Sequence, residues 1–293
     1  MTLETKLAGW TGPSSNTEQE KQDRTERMVR EAINAHPAFQ NYSFRVYAKG
    51  SYPNNTNVRT DSDVDIAVQC PEVFYWNGTP EITISPYTGP WTPPLLRSEV
   101  EKALRAKFPS QVDASGNVAI RVRASSARVD ADVVPCFTYR DYFGLNNYRE
   151  GTRIFRKSGG EIENYPQQHL DCGRAKNRRT NHQFKRAVRI LKRVGNAMAS
   201  DRFYREVPSF FIECLVYNCP DPIFFRPTWT DRISEILYHI WGSTQGGSEP
   251  AGDARWLEVN GVKYLFHPTQ AWSYEDARDF SKAAWNNLGY GSL

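Results

Sequence analysis

Residues 50–66 read GSYPNNTNVRTDSDVDI, and the alternation Asp63-Val64-Asp65-Ile66 at their end decides how the chain is read. That alternation has the period of a β-strand, in which successive side chains leave from opposite faces. Val64 and Ile66 then enter a core, while Asp63 and Asp65 are forced together on one face. Like charges so close repel and raise each other's pKa, and a divalent cation that prefers oxygen ligands is the simplest neutraliser. Upstream, Gly50 lets the backbone approach a phosphate closely, and the Ser51 hydroxyl with successive N–H groups can form an anion nest. The stretch between is too rich in Asn, Thr, Pro and Asp to be helix or strand.

Working outward, residues 42–49 and 64–69 are β-rich, giving strand, loop, strand. Residues 17–36 read as a helix with a stripe of Met28, Val29, Ala32 and Ile33, a capping box of Thr17 and Glu20, and an end at His36-Pro37. Residues 76–94, rich in Pro and Gly, are expected as a loop, and Leu96, Val100, Ala103, Leu104 and Phe108 mark a second helix. Two strands follow, 118–123 and 128–134, the second with Val129, Ala131 and Val133 on one face, Asp130 and Asp132 on the other, and a stop at Pro135. Beyond about residue 165 the spacing predicts helices over 181–194, 209–218, 230–241 and 273–288, the last with a Ser273/Asp276 capping box. One hairpin interrupts them, WLEV-NG-VKYLF, with a type I′ turn at Asn260-Gly261. The reading is an α+β protein with a mixed-sheet lobe at 1–165 and a mainly helical lobe at 166–293.

Composition removes other classes. A mean hydropathy of −0.64 with no long apolar run excludes a membrane helix. The N-terminus lacks the basic start and apolar stretch of an export signal, and the five cysteines are odd in number with no CxxC, so reduced thiols and a cytoplasmic location are expected. The histidines show no HxxxH, which disfavours a zinc hydrolase. A net charge of +4 over 293 residues argues against a large duplex-binding surface.

Asp132, from the second alternating strand, is placed to complete a three-carboxylate site. Such a site suits magnesium, and two such ions can activate a hydroxyl nucleophile and steady a leaving pyrophosphate. Alone, a DxD is commonly a solvated strand face and a Gly-Ser a plain turn. Their conjunction is more specific: Gly50-Ser51, eleven residues, Asp63-Val64-Asp65-Ile66, then Asp132-Val133-Val134-Pro135. Here the sequence resembles the DNA polymerase β-like nucleotidyltransferases, whose pattern is GS, DhDh (h, hydrophobic) and a third Asp. Within them GSYPNNTNVRTDSDVDI, DVVPCF and PSFFIECLVYN look like the bacterial CD-NTases, from about residue 20 to the end. These are cyclic-oligonucleotide synthases of anti-phage (CBASS) defence, related to cyclic GMP-AMP synthase and oligoadenylate synthase.

The resemblance implies a polymerase β-like lobe packed on a helical lobe with the active site in the cleft. It implies that Asp63 and Asp65 bind two Mg2+, with Mn2+ able to substitute, and that Asp132 activates the attacking ribose hydroxyl. Asp130 shares that face, but the family's third Asp precedes two apolar residues and a proline, as Asp132 does. The helical run around Phe184, Ala187, Val188, Leu191 and Val194 turns Lys185, Arg186, Arg189, Lys192 and Arg193 outward, a face that reads by itself as solvated. The family places a triphosphate-binding lysine there, which matches Lys185, and a γ-phosphate serine at Ser209, whose other reading is an N-cap. Asn164 lies where some relatives carry an Asn favouring uracil; its other reading is a turn residue before Tyr165-Pro166. Tyr139, Tyr142 and Tyr148 read as core or as base-stacking rings, and Arg174, Lys176, Arg178 and Arg179 as a minor RNA contact at most.

The expected activity is condensation of two nucleoside triphosphates (UTP, ATP or GTP) into a cyclic dinucleotide, uridine-containing among the choices, with pyrophosphate released. A separate effector protein would read the product; neither RNA nor membrane is expected as a partner, and the chain is expected to be a monomer. The rivals are a linear or RNA-tailing nucleotidyltransferase and a catalytically silent nucleotide sensor. Intact Gly50, Ser51, Asp63, Asp65 and Asp132 argue against the second.

Overall fold

The computed structural model describes residues 1–58, 63–78, 87–144, 147–246, 249 and 252–293. Two compact units divide the chain: Ser14–Pro53 with Arg59–Pro166, and Met1–Pro13 with Asn54–Val58 and Gln167–Leu293. The elements in chain order are α1 (Leu3–Gly9), α2 (Asn16–Ala35), β1 (Arg45–Lys49), β2 (Val64–Asn77), α3 (Pro93–Lys107), β3 (Val112–Asp113), β4 (Ile120–Val122), β5 (Ala131–Gly144), β6 (Asn147–Phe155), β7 (Glu161–Asn164), α4 (Pro166–Arg179), α5 (Gln183–Ser200), α6 (Ser209–Tyr217), α7 (Trp229–Ser243) and α8 (Tyr274–Leu288). Among the described residues, no helix is long and apolar enough to cross a membrane.

In the first unit the seven strands form one mixed sheet ordered β1-β2-β5-β4-β3, with β6 on the far half of β5 and β7 beyond β6. β2 and β5 run parallel, as a crossover through α3 requires, and the other pairings are antiparallel. The alternation works as the sequence indicates. Val64, Ile66, Val133, Ile120 and Val122 are fully buried with Val29 and Ile33 of α2 and Leu96, Val100 and Leu104 of α3. Ala67, Val134 and Cys136 pack on the opposite face with Ile154. The acidic positions share that second face, away from the helices.

Several local expectations are corrected. α2 is capped by Ser15, whose hydroxyl accepts from the Glu18 N–H, and not by Thr17, which lies inside the helix. Both long strands run past their expected ends. β2 absorbs Pro71 in an irregularity between Cys70 and Phe74 and continues to Asn77, into the segment expected as loop; residues 79–86 of that segment lie outside the described residues. β5 passes through Pro135 because its outer partner changes there: β4 ends opposite Val133 and β6 begins opposite Phe137, so the missing N–H faces no ladder on that side.

The second unit is built around α5, whose Phe184, Ala187, Val188, Leu191, Val194 and Met198 are fully buried against α6, α7 and α8. Asn181 and His182 take left-handed backbone, so α5 begins at Gln183. α8 carries the expected Ser273/Asp276 capping box. The WLEV-NG-VKYLF hairpin is reduced to one isolated bridge, Leu257 to Tyr264. A type I′ turn needs positive φ at both central residues, but only Gly261 has it. Asn260 instead accepts the N–H groups of Val262 and Lys263 with its side-chain oxygen. The outward basic face of α5 is solvated only in part: Lys185, Arg189 and Lys192 are buried, Arg193 is half-buried and Arg186 is exposed.

Candidate active site

Four strands place a row of charge on the acidic face. Lys49 of β1 stands opposite Asp65 of β2, Asp65 opposite Asp132 of β5, and Asp132 opposite Arg121 of β4. The order across the sheet is cation, anion, anion, cation, and cross-strand neighbours in register are close enough to interact directly. Lys49 Nζ lies 3.9 Å from Asp65 Oδ1. Asp63, just before β2, accepts from Arg121 Nη2 at 3.2 Å. The same nitrogen donates to Asp130 at 2.8 Å.

This arrangement separates the two aspartates of β5 and its approach. Burial works to raise the pKa of Asp130, but the Arg121 guanidinium and the Ala124 N–H hold it below the usual value. Asp132 goes the other way: burial first, then the charges of Asp63 and Asp65, push it up, and Arg121 and Lys49 only partly offset them. Asp130 is therefore a satisfied partner of Arg121, whereas Asp132 carries negative charge that its surroundings do not balance. Gly50 stands against Asp65 with φ of 75°; a Cβ there would meet Asp65 Oδ2 at 2.6 Å. Ser51 follows in the same turn, half-buried.

The donor set of Asp63, Asp65 and Asp132 is all hard oxygen with surplus negative charge, which fits a divalent cation of the magnesium type. Among the described residues, no three acidic, His or Cys side chains already converge as ligands, since Asp63 is turned to Arg121.

Asn164 closes β7 opposite Thr152, so it is a strand residue and not the turn residue that was its alternative reading. Tyr139 and Tyr142 are core, with the Arg153 guanidinium 4.4 Å from the Tyr139 ring centre, and Tyr148 is exposed beneath Arg140.

In the helical unit, Lys185 is 8% exposed, and among the described residues its ammonium has no carboxylate within salt-bridge distance. Burial lowers its pKa, with Arg174 and Arg189 adding and Glu213 opposing. Ser209 is the exposed first residue of α6. Pro208 takes the N-cap position and offers no side-chain bond, which removes the capping reading of Ser209. Of the basic cluster on α4, Lys176 is buried on the Cys219 carbonyl and Asp221, and Arg179 pairs with Asp221, so half of it serves the fold.

Sequence reasoning missed Lys49 and Arg121. The signal was present for Arg121: Ile120 and Val122 face the core, so Arg121 must share the aspartates' face. What was lacking was the strand pairing that sets it beside Asp132.

Comparison with known proteins gives the family. The cGAS/DncV-like nucleotidyltransferase C-terminal helical domain matches residues 171–289. The cyclic dipyrimidine nucleotide synthase CdnE of Cecembia lonarensis is 34% identical, with 98% of each chain covered. The enzyme of the same name from Legionella pneumophila is 35% identical over 95% of each chain. The solved structure of Elizabethkingia meningoseptica CdnE cyclic dinucleotide synthase with GTP and Apcpp superimposes with a TM-score of 0.82 at 32% identity, covering 98% of this chain and 99% of that one. The strand order, the charged row and these full-length relatives lead to one conclusion: the chain belongs to the bacterial CD-NTases, nucleotidyltransferases of the polymerase β-like fold that condense nucleoside triphosphates into cyclic dinucleotides.

Proposed function

We propose that Asp63, Asp65 and Asp132 are the catalytic carboxylates and that the product contains at least one pyrimidine. The observation that carries the first part is the register pair Asp65–Asp132 beneath the Gly50 turn. In this reading Asp132, the carboxylate whose proton affinity is raised, takes the proton of the attacking ribose hydroxyl. The freed oxygen forms a bond to the α-phosphorus of a second nucleotide as the bond to pyrophosphate breaks, and a second round closes the ring. Two Mg2+ ions, held by the three carboxylates, would supply positive charge to the reacting phosphates. The family resemblance assigns phosphate contacts to Gly50 and Ser51 in the turn and to Lys185 and Ser209 in the helical unit; among the described residues the Lys185 ammonium has no carboxylate within salt-bridge distance, and Ser209 opens α6 without serving as its cap.

Two observations support the pyrimidine. The side-chain amide of Asn164 can both donate to and accept from a pyrimidine edge. The two relatives of 34% and 35% identity are named as dipyrimidine synthases. The product would be read by a separate effector protein.

The test is incubation with all four ribonucleoside triphosphates and Mg2+, phosphatase treatment, and mass spectrometry of what survives. A phosphatase-resistant ring containing U or C is expected, and Asn164→Ala is expected to move incorporation toward purines. A ring of purines alone would overturn the base assignment. Linear products alone would favour the oligonucleotide- or RNA-tailing reading.

A further inference from the structure

α2 turns Val29 and Ile33 into the core of the first unit, and one helical turn before Val29 the same stripe holds Thr25, which is 0% exposed. A hydroxyl is unexpected there. Threonine is a poor helix former, and a buried polar group is destabilising unless it is bonded. Valine, nearly the same shape, would complete the stripe without either cost. The bonds of Thr25 show what its oxygen adds. It donates to the Lys21 carbonyl at 2.7 Å, the familiar bond of a helical threonine to the preceding turn. With its hydrogen so committed, the oxygen is left facing outward from the helix as an acceptor. It takes the Val129 N–H at 3.1 Å, in a buried bond that spans 104 positions of the chain.

Val129 is where the chain approaches β5. Its side chain lies in the same core cluster as Val29 and Ile33. The carbonyl of the next residue, Asp130, accepts the Val64 N–H at 2.9 Å and so opens the ladder between β2 and β5. The register that follows sets Val64 opposite Ala131 and Asp65 opposite Asp132. The neighbours of Val129 are tied elsewhere: Arg128 lies over the Phe108 ring and donates to Gln111, and Asp130 accepts from Arg121. Thr25 ties the segment to α2. A strand advances by a fixed step of about 3.3 Å per residue, so a shift at Val129 is carried to Asp132, three residues on. A whole-residue slip would replace Asp132 on its face with an apolar neighbour, and a smaller shift would change its distance from Asp65.

We propose that Thr25 is a positioning residue for nucleotidyl transfer: its hydroxyl, fixed by the Lys21 carbonyl, holds the Val129 N–H and thereby sets the start of β5 and the place of Asp132 beside Asp65. The inference rests on the reading of Asp65 and Asp132 as catalytic carboxylates.

The decisive variants are Thr25→Val, which keeps the shape and removes the acceptor, and Thr25→Ser, which keeps the acceptor. Thr25→Val is expected to lower kcat by roughly ten- to a hundredfold, the effect of a misplacement of about 1 Å. KM for nucleoside triphosphates should change far less, the melting temperature should fall by a few degrees as one buried N–H loses its acceptor, and Thr25→Ser should recover most of the rate. If Thr25→Val does not fold, Thr25→Cys offers a weak sulfur acceptor of similar size, and its kcat should fall below that of Thr25→Ser; equal kcat in those two would count against the proposal. Wild-type kcat in Thr25→Val, equal losses in the Val and Ser variants, or a loss confined to KM would overturn the positioning role. Asp132→Asn, measured in parallel, keeps the two readings apart: if it turns over normally the carboxylate assignment is lost, and if it is inactive while Thr25→Val is unimpaired only the present inference is.

Discussion

Gly50 and Asp65 are matched so closely that a single added carbon on Gly50 would sit 2.6 Å from Asp65 Oδ2. The glycine also holds φ of 75°, where an L side chain costs roughly 1–2 kcal/mol. Gly50→Ala should therefore do two things at once. It should lower the melting temperature by a few degrees and, by moving Asp65, cut pyrophosphate release by roughly a hundredfold. Thermal denaturation and a coupled pyrophosphate assay read them separately; full activity in this variant would show that the turn does not position Asp65.

Arg121 occupies the Asp63 oxygens that a cation would use. Guanidinium and metal then compete for the same carboxylate. Arg121→Gln is expected to lower the half-saturating Mn2+ concentration by roughly three- to tenfold, the worth of a solvent-screened ion pair near 1 kcal/mol. Paramagnetic resonance of free Mn2+ measures this without turnover. A weaker metal affinity in the variant would mean that Arg121 organises the carboxylates instead of competing for them.

Lys185 is a buried cation that, among the described residues, has no carboxylate within salt-bridge distance, and it is proposed above as a phosphate ligand. Lys185→Met should raise KM for nucleoside triphosphates by roughly ten- to a hundredfold, corresponding to the ~1.5–3 kcal/mol of a hydrogen bond to a charged group. The fold should be retained, because removing the ammonium removes a desolvation cost. Unchanged KM in steady-state kinetics would leave Lys185 a structural residue.

Glu213 gives a pH dependence of definite sign. Burial alone would raise its pKa, but Lys192 and His169 prevail and hold it far below its ordinary value of 4.5. A carboxylate depressed on folding adds stability above its unfolded pKa and loses it as pH falls toward the folded one. Between pH 4.5 and 3 the melting temperature of the wild type should therefore fall more steeply than that of K192M/E213L. Parallel slopes would show that the pair is not formed in solution.

The local period carried much of the fold. Val64 and Ile66 entering the core, with Asp65 leaving on the other face, follows from two residues per strand repeat, and the stripes of α2, α3, α5 and α8 follow from the helical one. Where the reading failed, a neighbour overrode a local preference. Pro135 looked like a strand end and is tolerated because β5 changes partners there. Asn260-Gly261 looked like a hairpin turn, and the Asn260 side chain took up the N–H groups that a ladder would have used.

The sequence alone determined the identities and spacing of the aspartates, because backbone alternation sends Asp65 to the face opposite Val64 and Ile66 whatever surrounds it. Only the tertiary structure decided their partners. Register set Asp132 beside Asp65 and Arg121 beside Asp132, and strand register depends on contacts between residues far apart in the chain. The same holds for Lys192 and Arg189, which helical periodicity assigns to solvent. They are buried because residues 54–58, more than a hundred positions earlier, bring Thr56 and the Asn55 carbonyl to them, and no one-dimensional period encodes the arrival of a distant loop.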